Sequence, residues 1–458
     1  ARGRAGTRRG NPLSMTLVGD TIELLQTLIR NQCVNDGTPE SGNEVRNAFV
    51  LRDYLEGPGV EIETFEPLPG RGSMVARMAG TDPDAPSICL MGHTDVVPVS
   101  PEGWRHDPFG GELIDGEVWG RGAVDMLNLT SSMAVAFRQI ARSGRRPAGD
   151  LIYFGVADEE AGGVHGAEWI LDRHWDHVGA DYVLTEFGGI PVSNSDPPAF
   201  TLSVAEKGLA WRRLVVHGTP GHGSQPYGTD NALVKAAEIV RRLAAYEPAP
   251  QLDALWEARI GAMDLDGDTK ALLLDPGTID QTLASMDPGP ARPLHACSHP
   301  TFSPNVVHGG TKTNVIPDRV EIDVDIRTLP GETGEDIDRH VREALGVLAD
   351  QVEVEILQED PSSSSPTDTP MWDTISRLVS ARFPGATMVP SLITGGTDAR
   401  HFRKHGAVAY GAGLMSPAID LGEFFRRFHG HDERIDVESL ELTTQLWLDV
   451  VGDMQRSG

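Results

Sequence analysis

Apolar and polar positions alternate between residues 20 and 200 in a way that predicts helices and strands in turn. Apolar residues recur at helical spacing in 20–32 and 43–59, and the second run stops at a Gly-Pro-Gly break. Strands are predicted by short, mostly apolar runs at 74–78, 87–92, 150–157 and 181–185. The helical patterns 129–144 and 165–175 lie between these strands. This alternation predicts an α/β domain with a mostly parallel central sheet.

The pattern changes near residue 204. The next segments read in order as strand, helix, strand, strand, helix and strand: 209–218, 230–246, 306–317, 318–330, 334–348 and 352–357. This order is typical of a ferredoxin-like α+β domain. A Pro-rich and acidic insertion at about 247–300 interrupts it.

A loop at 358–370 is followed by a return of the first pattern, with a helix, a strand and a final helix. We therefore expect the ferredoxin-like domain to be inserted into the α/β domain. The expected boundaries are a leader without regular structure at 1–15, a catalytic domain in two parts, 16–204 and 361–458, and the inserted domain, 205–360.

Length and composition restrict the function classes. A chain of 458 residues is long enough for two domains. Its 67 acidic and 39 basic residues give a net charge of −28, which repels nucleic acid and anionic membranes, so neither is expected as a partner. Three scattered cysteines, Cys33, Cys89 and Cys297, argue against a disulfide framework and favour the cytoplasm. No apolar run approaches the ~18 residues that span a membrane.

Acidic residues and histidines follow the predicted strands. His93 and Asp95 come after one strand, Glu159 and Glu160 after a later one, and Glu186 after the next. Asp125 lies between the first two groups, and the successive groups are about 30 residues apart, the length of one strand–helix unit. Each alone fits a capped turn or a solvated loop, but parallel strands bring such ends to one crevice. Mixed histidine and carboxylate ligands favour zinc or another divalent first-row metal.

A fifth cluster near the C-terminus, "FHGHDERID", adds two candidate ligands, His429 and His431. Several motifs now occur in a fixed order: "MGHTDVVP", "GRGAVDM", "DEEAGG", "EKG", "GHGS", "TNVIP", "DIRTLPG" and "GGTDARHF". In these motifs the chain resembles the metallopeptidase family of aminoacylase-1, acetylornithine deacetylase, succinyl-diaminopimelate desuccinylase and glutamate-releasing carboxypeptidases. The resemblance runs from about residue 20 to 450. It departs from the family at 127–129, where Leu-Asn-Leu replaces a common Lys-Gly-Gly.

The resemblance implies a zinc-peptidase-like catalytic domain with two divalent metal ions, zinc by preference and cobalt or manganese as alternatives. It implies that His93 and Glu186 hold one ion, that Glu160 and His429 hold the other, and that Asp125 bridges them. Glu159 precedes a ligand and is the expected general base, while Asp95 is placed to accept the second N–H of the His93 ring.

The resemblance also assigns residues to substrate. His222 in the Gly-rich loop of the inserted domain would stabilise the oxyanion, commonly across a dimer, so the inserted domain is expected to act as a lid and to form a homodimer. Asn314 and Arg327 match positions that bind the free carboxylate of the substrate. Gly395, Gly396 and Thr397 would form a loop that approaches the substrate closely, with Arg400 as a further contact.

The sequence therefore predicts hydrolysis of the amide of an N-acyl amino acid or short peptide next to a free carboxylate, by metal-activated water and a glutamate base. Within the family, the alternatives are a dipeptidase or carboxypeptidase and a deacylase of the succinyl-diaminopimelate or acetylornithine type. The long insertion favours an aminoacylase or a carboxypeptidase. A non-catalytic binding protein that keeps a structural metal is the alternative from another class.

Overall fold

A computed structural model describes residues 12–193, 196–419 and 421–455, with side chains from residue 17 onward. The first eleven residues of the expected leader lie outside the described residues. Its last four, 12–15, belong to the first helix.

The elements are numbered in chain order. The strands are β1 Glu61–Phe65, β2 Ser73–Met78, β3 Ile88–His93, β4 Glu112–Ile114, β5 Glu117–Trp119, β6 Leu151–Val156, β7 Tyr182–Thr185, β8 Pro191–Ser193, β9 Ala199–Glu206, β10 Gly208–His217, β11 Gly221–His222, β12 Thr301–Gly309, β13 Val315–Ile316, β14 Arg319–Thr328, β15 Val352–Asp360, β16 Ser363–Ser364, β17 Thr387–Ile393, β18 Val408–Gly411 and β19 Arg434–Asp436. The α-helices are α1 Pro12–Arg30, α2 Val45–Leu55, α3 Leu127–Arg142, α4 Ala167–Val178, α5 Ala232–Ala244, α6 Ala254–Ala262, α7 Gly267–Leu273, α8 Ile279–Ser285, α9 Pro288–Ser298, α10 Gly334–Leu345, α11 Pro370–Arg382, α12 Ala399–Lys404, α13 Leu421–Arg427 and α14 Val437–Met454.

The central sheet has the strand order β1-β2-β6-β3-β7-β18-β9-β16, with β8 and β17 also paired to β9. Its middle strands β6, β3, β7 and β18 run parallel, and antiparallel strands extend both edges. Strands β3 and β6 are apolar and buried along their whole length, as expected for strands covered on both faces. The predicted α/β class and the four predicted strands of this sheet are confirmed.

Helices cover both faces of the sheet. Successive residues of β3 alternate between two cores, with Ile88 and Leu90 facing one and Cys89 and Met91 facing the other. The first core includes α1, α3 and α14, and the second includes α4 and α12. No helix of the described chain is both long and apolar enough to cross a membrane.

The inserted domain is ferredoxin-like, as predicted. The order along the chain is β10-α5-β12-β14-α10-β15, and these strands form an antiparallel sheet in the order β12-β14-β10-β15. Helices α5 and α10 bury a separate core against one face of that sheet.

The segment 254–298 differs from the prediction, which placed it inside the inserted domain. It forms the helices α6 to α9, and Trp256, Ile260 and Leu294 belong to the core of the catalytic domain. Helix α6 packs on β17, and Cys297 in α9 donates to the carbonyl of Leu392 in the same strand. The reason is that the apolar faces of these helices have no free surface to cover on the inserted domain, where α5 and α10 already occupy the helical side of the sheet.

Candidate metal centre

His93 is delivered by the carboxyl end of β3. Its Nε2 atom lies 3.0 Å from Oδ1 of Asp125 and 3.8 Å from Oε2 of Glu186. Its Nδ1 atom lies 3.0 Å from the backbone carbonyl oxygen of Asp95 and 3.6 Å from the carboxylate of the same residue. The carbonyl, rather than the predicted carboxylate, is therefore the nearer acceptor, because the chain turns back on the ring after the strand.

The Asp95 carboxylate has a different role. Its Oδ2 atom accepts from Nδ2 of Asn35 at 2.9 Å and from the backbone N–H of Glu160 at 3.1 Å. Asp95 thus connects the loop after β3 to the loop after β6, which are adjacent because β3 and β6 pair in parallel up to His93 and Val156. It positions two of the predicted ligands.

Asp125 precedes α3 and lies between the two histidines. Its Oδ2 atom is 2.8 Å from Nε2 of His429, and its Oδ1 atom faces His93. The backbone N–H of Asp125, and those of Gly122 and Val124, donate to Oε1 of Glu433 at 2.7–3.1 Å. The other oxygen of Glu433 accepts from Arg121 at 2.6 Å. Glu433 is fully buried and holds the Asp125 loop in place.

Two overlapping groups of candidate ligands result. One consists of His93, Asp125 and Glu186, the other of Asp125, Glu160 and His429, and in each the ligand atoms lie within 4.8 Å of one another. Asp125 belongs to both. The structure thus brings together all five residues predicted as ligands, in the grouping that the sequence predicted.

The chemistry of this cluster fits divalent cations. Burial and the charge of Asp125 raise the pKa of Glu160 to about 7 and the pKa of Glu186 well above its usual value. Burial lowers the pKa of His429, but its hydrogen bonds to Asp125 and Glu160 outweigh that effect and raise the pKa to about 10. The Oε1 atom of Glu160 is buried without a hydrogen-bond partner in the described part of the chain. The cluster therefore favours additional positive charge, which metal ions supply.

A cavity of about 500 Å³ opens beside this centre. Glu159, Glu160 and His429 line one part of it. Other lining residues include Arg327, Gly395, Gly396, Arg400, Lys207, Trp211, Glu206 and Asp360. It therefore joins the catalytic and inserted domains. Arg400 donates to the carbonyls of Thr397 and Gly162 at 2.8 and 2.7 Å, so it also ties the Glu159–Glu160 turn to the glycine loop.

A sequence profile of peptidase family M20/M25/M40 matches residues 89–453. The chain belongs to this family. It is therefore a metallopeptidase-type enzyme that hydrolyses amide or peptide bonds, and the sequence-based assignment to the aminoacylase and carboxypeptidase family is confirmed.

Individual relatives agree with this membership. The N-fatty-acyl-amino acid synthase/hydrolase of Xenopus tropicalis is 28% identical over 403 residues, which cover 83% of this chain and 75% of the relative. Aminoacylase-1 of Sus scrofa is 26% identical over 435 residues, 93% of this chain and 94% of the relative. The structure of an M20 family metallo-carboxypeptidase from Sulfolobus solfataricus has the same fold, with a TM-score of 0.67, 16% identity and coverage of 96% and 99%.

Two predicted site residues of this M20 enzyme are not at the cavity. His222 ends β11 of the inserted domain, and Asn314 directly precedes the paired strand β13. The N–H of Gly223 donates to the carbonyl of Asn314 at 2.8 Å. Both side chains are exposed, and neither lines the described cavity. His222 instead forms a hydrogen bond with the hydroxyl of Ser224 at 2.8 Å.

Thr397, which is predicted to approach the substrate, is buried and does not line this cavity. Its N–H and hydroxyl donate to the two oxygens of Glu206 at 2.7 and 2.9 Å. Glu206 and Lys207 belong to the "EKG" motif, but the sequence assigned neither of them a role. The Lys207 ammonium donates to the carbonyls of Ala296 and His299 at 2.9 and 2.7 Å, and burial lowers its pKa to about 8.

Proposed function

We propose that this M20 enzyme removes the acyl group from an N-acyl amino acid, using two zinc ions held by the five clustered ligands. The observation that carries the proposal is the pair of ligand groups sharing Asp125 at the end of a cavity that also contains Arg327, Lys207 and Arg400. At one end of the cavity an amide would lie beside the metal ions. The other end contains cations that would bind a carboxylate.

His93, Asp125 and Glu186 would hold one ion, and Asp125, Glu160 and His429 the other. Their mixture of imidazole and carboxylate favours zinc, with cobalt or manganese as alternatives. When bound, such ions polarise the amide carbonyl and make water a nucleophile at neutral pH.

Glu159 is the proposed general base. It lines the cavity next to the ligand Glu160, and burial together with the charge of Asp398 raises its pKa well above the usual value, despite the opposing effect of His93. A carboxylate with a raised pKa takes a proton from water more readily and returns it to the departing amine.

Arg327 is the proposed anchor for the free carboxylate of the substrate. Its guanidinium already pairs with one carboxylate, since Nε donates to Oδ1 of Asp325 at 2.8 Å. His222 and Asn314 are exposed on the inserted domain and are proposed to reach the cavity of a second subunit. A homodimer that pairs through the inserted domain would complete each site in this way.

A reducing compartment, the cytoplasm, is the proposed location. Cys33, Cys89 and Cys297 are free and buried, and burial raises the pKa of Cys33 to about 12. Thiols of this kind are unreactive and fit a protein that needs no disulfide.

The test is a substrate panel on protein stripped with a chelator and then restored with zinc, cobalt or manganese. The panel contains N-acetyl amino acids, N-succinyl amino acids and dipeptides. We expect metal-dependent release of free amino acid from N-acyl substrates, and much slower cleavage when the carboxylate is replaced by an amide. A profile with dipeptides as the only substrates would replace the proposal with the dipeptidase alternative. Bound metal with no hydrolysis of any member would favour a binding protein.

A further inference from the structure

A second cavity, of about 350 Å³, lies behind the metal centre within the catalytic domain. Its wall consists mainly of hydrocarbon side chains from four parts of the chain, among them Ile190, Val192, Leu392, Ile393, Leu421 and Phe425. Helices α6 and α9 of the segment 254–298 close one side with Arg259, Pro293 and Cys297. The volume is within the range of small-molecule sites.

This apolar cavity is adjacent to the metal centre. Gly395 lines both it and the cavity that contains Glu159 and Glu160. Phe187 directly follows the ligand Glu186, Phe428 directly precedes the ligand His429, and both rings face the apolar cavity. The two rings are 4.9 Å apart, and the Phe428 ring stacks on His429 at 4.5 Å. A group bound there is thus next to the ligands of both ions.

The two cavities differ in charge, which determines what each half of a substrate can use. The cavity beside the inserted domain is lined by charged residues of both signs. Its cations Lys207, Arg327 and Arg400 suit the half with the free carboxylate, although Glu206 and Asp360 also line it. Among the described residues that line the apolar cavity, Arg259 is the only charged one, and it donates to Sγ of Cys297 at 3.3 Å. The apolar cavity therefore suits the uncharged half of the substrate.

We propose that the apolar cavity binds the acyl chain of the substrate and makes the enzyme selective for unbranched apolar acyl groups longer than acetyl. This inference rests on the proposed deacylation, in which the acyl carbonyl lies at the metal centre. Each methylene buried in an apolar site is expected to raise kcat/KM about fourfold until the cavity is full.

The first test compares two series on the zinc-restored enzyme. One series lengthens the acyl group of N-acyl-alanine from acetyl to butanoyl, hexanoyl and octanoyl, and the other lengthens the side chain of N-acetyl amino acids from alanine to norleucine. We expect kcat/KM to rise steeply in the acyl series. A steep rise in the side-chain series with a flat acyl series would overturn the proposal. So would a preference for N-succinyl-alanine over N-butanoyl-alanine, because Arg259 would then bind an acidic acyl group.

The second test changes the cavity itself. Val192→Trp fills it and should abolish the preference for octanoyl, so that kcat/KM no longer rises from N-acetyl-alanine to N-octanoyl-alanine. Val192→Ala enlarges it and should move the best chain length upward. Val347→Trp, on an exposed position of the inserted domain, is the matched control and should change neither. Equal acyl profiles for all four proteins would contradict the proposal.

A binding measurement separates this inference from the proposed function. Octanoate and acetate are titrated into the zinc-loaded original protein and into Val192→Trp, with heat as the readout. If no amide is hydrolysed but octanoate binds at least tenfold more tightly than acetate, and only in the original protein, the proposed function fails and the apolar site stands. If amides are hydrolysed but octanoate has no advantage, the apolar site is wrong and the proposed function stands.

Discussion

At the scale of a single residue, the proposed role of Glu159 as general base can be tested directly by substitution. Glu159→Gln keeps the size of the side chain but removes the ability to take a proton from water. We expect kcat to fall about 10²- to 10⁴-fold with KM nearly unchanged, because general-base catalysis contributes about that much. Metal content, measured by elemental analysis, should stay at the original value, since the five proposed ligands are untouched.

Glu102→Gln is the matched control, because Glu102 is an exposed carboxylate outside the described cavities. It should have the original activity. Loss of metal in Glu159→Gln would show that Glu159 is a ligand, and full activity would remove it from the mechanism.

Asp398 and His401 form a buried pair, and the two residues have opposite effects on how the free energy of unfolding depends on pH. Neither oxygen of Asp398 nor Nε2 of His401 has a hydrogen-bond partner in the described residues, and the two side chains are 3.9 Å apart. Burial raises the pKa of Asp398 to about 7, and burial together with Arg400 lowers the pKa of His401 to about 3. Between about pH 4 and 6.5, Asp398 is protonated in the folded protein but ionised in the unfolded chain. In the same window His401 is neutral in the folded protein but protonated in the unfolded chain.

Asp398→Asn should therefore make the protein sensitive to acid. The contribution of Asp398 to the free energy of unfolding grows as the pH falls through this window, and that of His401 shrinks, each by up to about 1.4 kcal/mol per pH unit. Removing Asp398 leaves the His401 effect unopposed. Urea midpoints at pH 4.5, 5.5 and 6.5 should fall more steeply on acidification than in the original protein. His401→Gln should change the slope in the opposite direction, and parallel slopes in all three proteins would refute the pairing.

The cluster of five candidate ligands could be predicted from the sequence, because strand ends and motif order mark its members. All five predicted ligands lie together at the ends of β3, β6 and β7 and in two loops. Supporting residues could not be predicted in this way. Glu433 was visible in the C-terminal motif, but its role depends on three backbone N–H groups more than 300 residues away in sequence. A contact of that kind has no local pattern.

The helices α6 to α9 are the main departure at the scale of elements. The sequence showed only a Pro-rich, acidic insertion, although Asp253 and Asp266 cap two of these helices through the N–H groups of Trp256 and Thr269. Such caps are local signals for helix starts. What the sequence could not show is which domain the short apolar faces cover, since that depends on the free surface beside β17.

Trp256→Ala tests where this segment belongs. The Trp256 side chain is buried in the catalytic core, and its indole N–H donates to the carbonyl of Leu273 at 2.9 Å. Its removal should lower the free energy of unfolding by about 3–5 kcal/mol. Hydrogen exchange should accelerate in α6, α7 and β17, while β10 and β14 keep their protection.

Ile322→Ala is the matched control, since Ile322 is buried in the core of the inserted domain. It should accelerate exchange in β10, β14 and α5 and leave α6 unchanged. If both substitutions loosen the same strands, the segment is part of the inserted domain after all.

At the scale of the whole molecule, a single chain does not bring all the predicted site residues to one place. Two of the five candidate metal ligands, Glu160 and His429, line one cavity together with Glu159 and Arg327. His222 and Asn314 are exposed elsewhere on the inserted domain. The fold class and the inserted ferredoxin-like domain followed from the order of strands and helices. The assembly did not, because a sequence pattern describes one chain, and an exposed histidine on a two-residue strand is compatible with solvent as well as with a partner.

Mixing two inactive variants tests the shared site. In His222→Ala each catalytic centre has Glu159 but receives no histidine, and in Glu159→Gln each has a histidine but no base. If His222 acts across a two-fold dimer, a mixed dimer contains one centre with both groups intact. Refolding the variants together in equal amounts should then restore about a quarter of the original activity, since about half of the dimers are mixed and each has one working centre of two.

A mixture of Glu159→Gln with His93→Ala is the control and should stay inactive, because both changes affect the catalytic domain and no mixed dimer contains an intact set. If the first mixture also stays inactive while light scattering shows that mixed dimers form, His222 does not act on the partner's substrate.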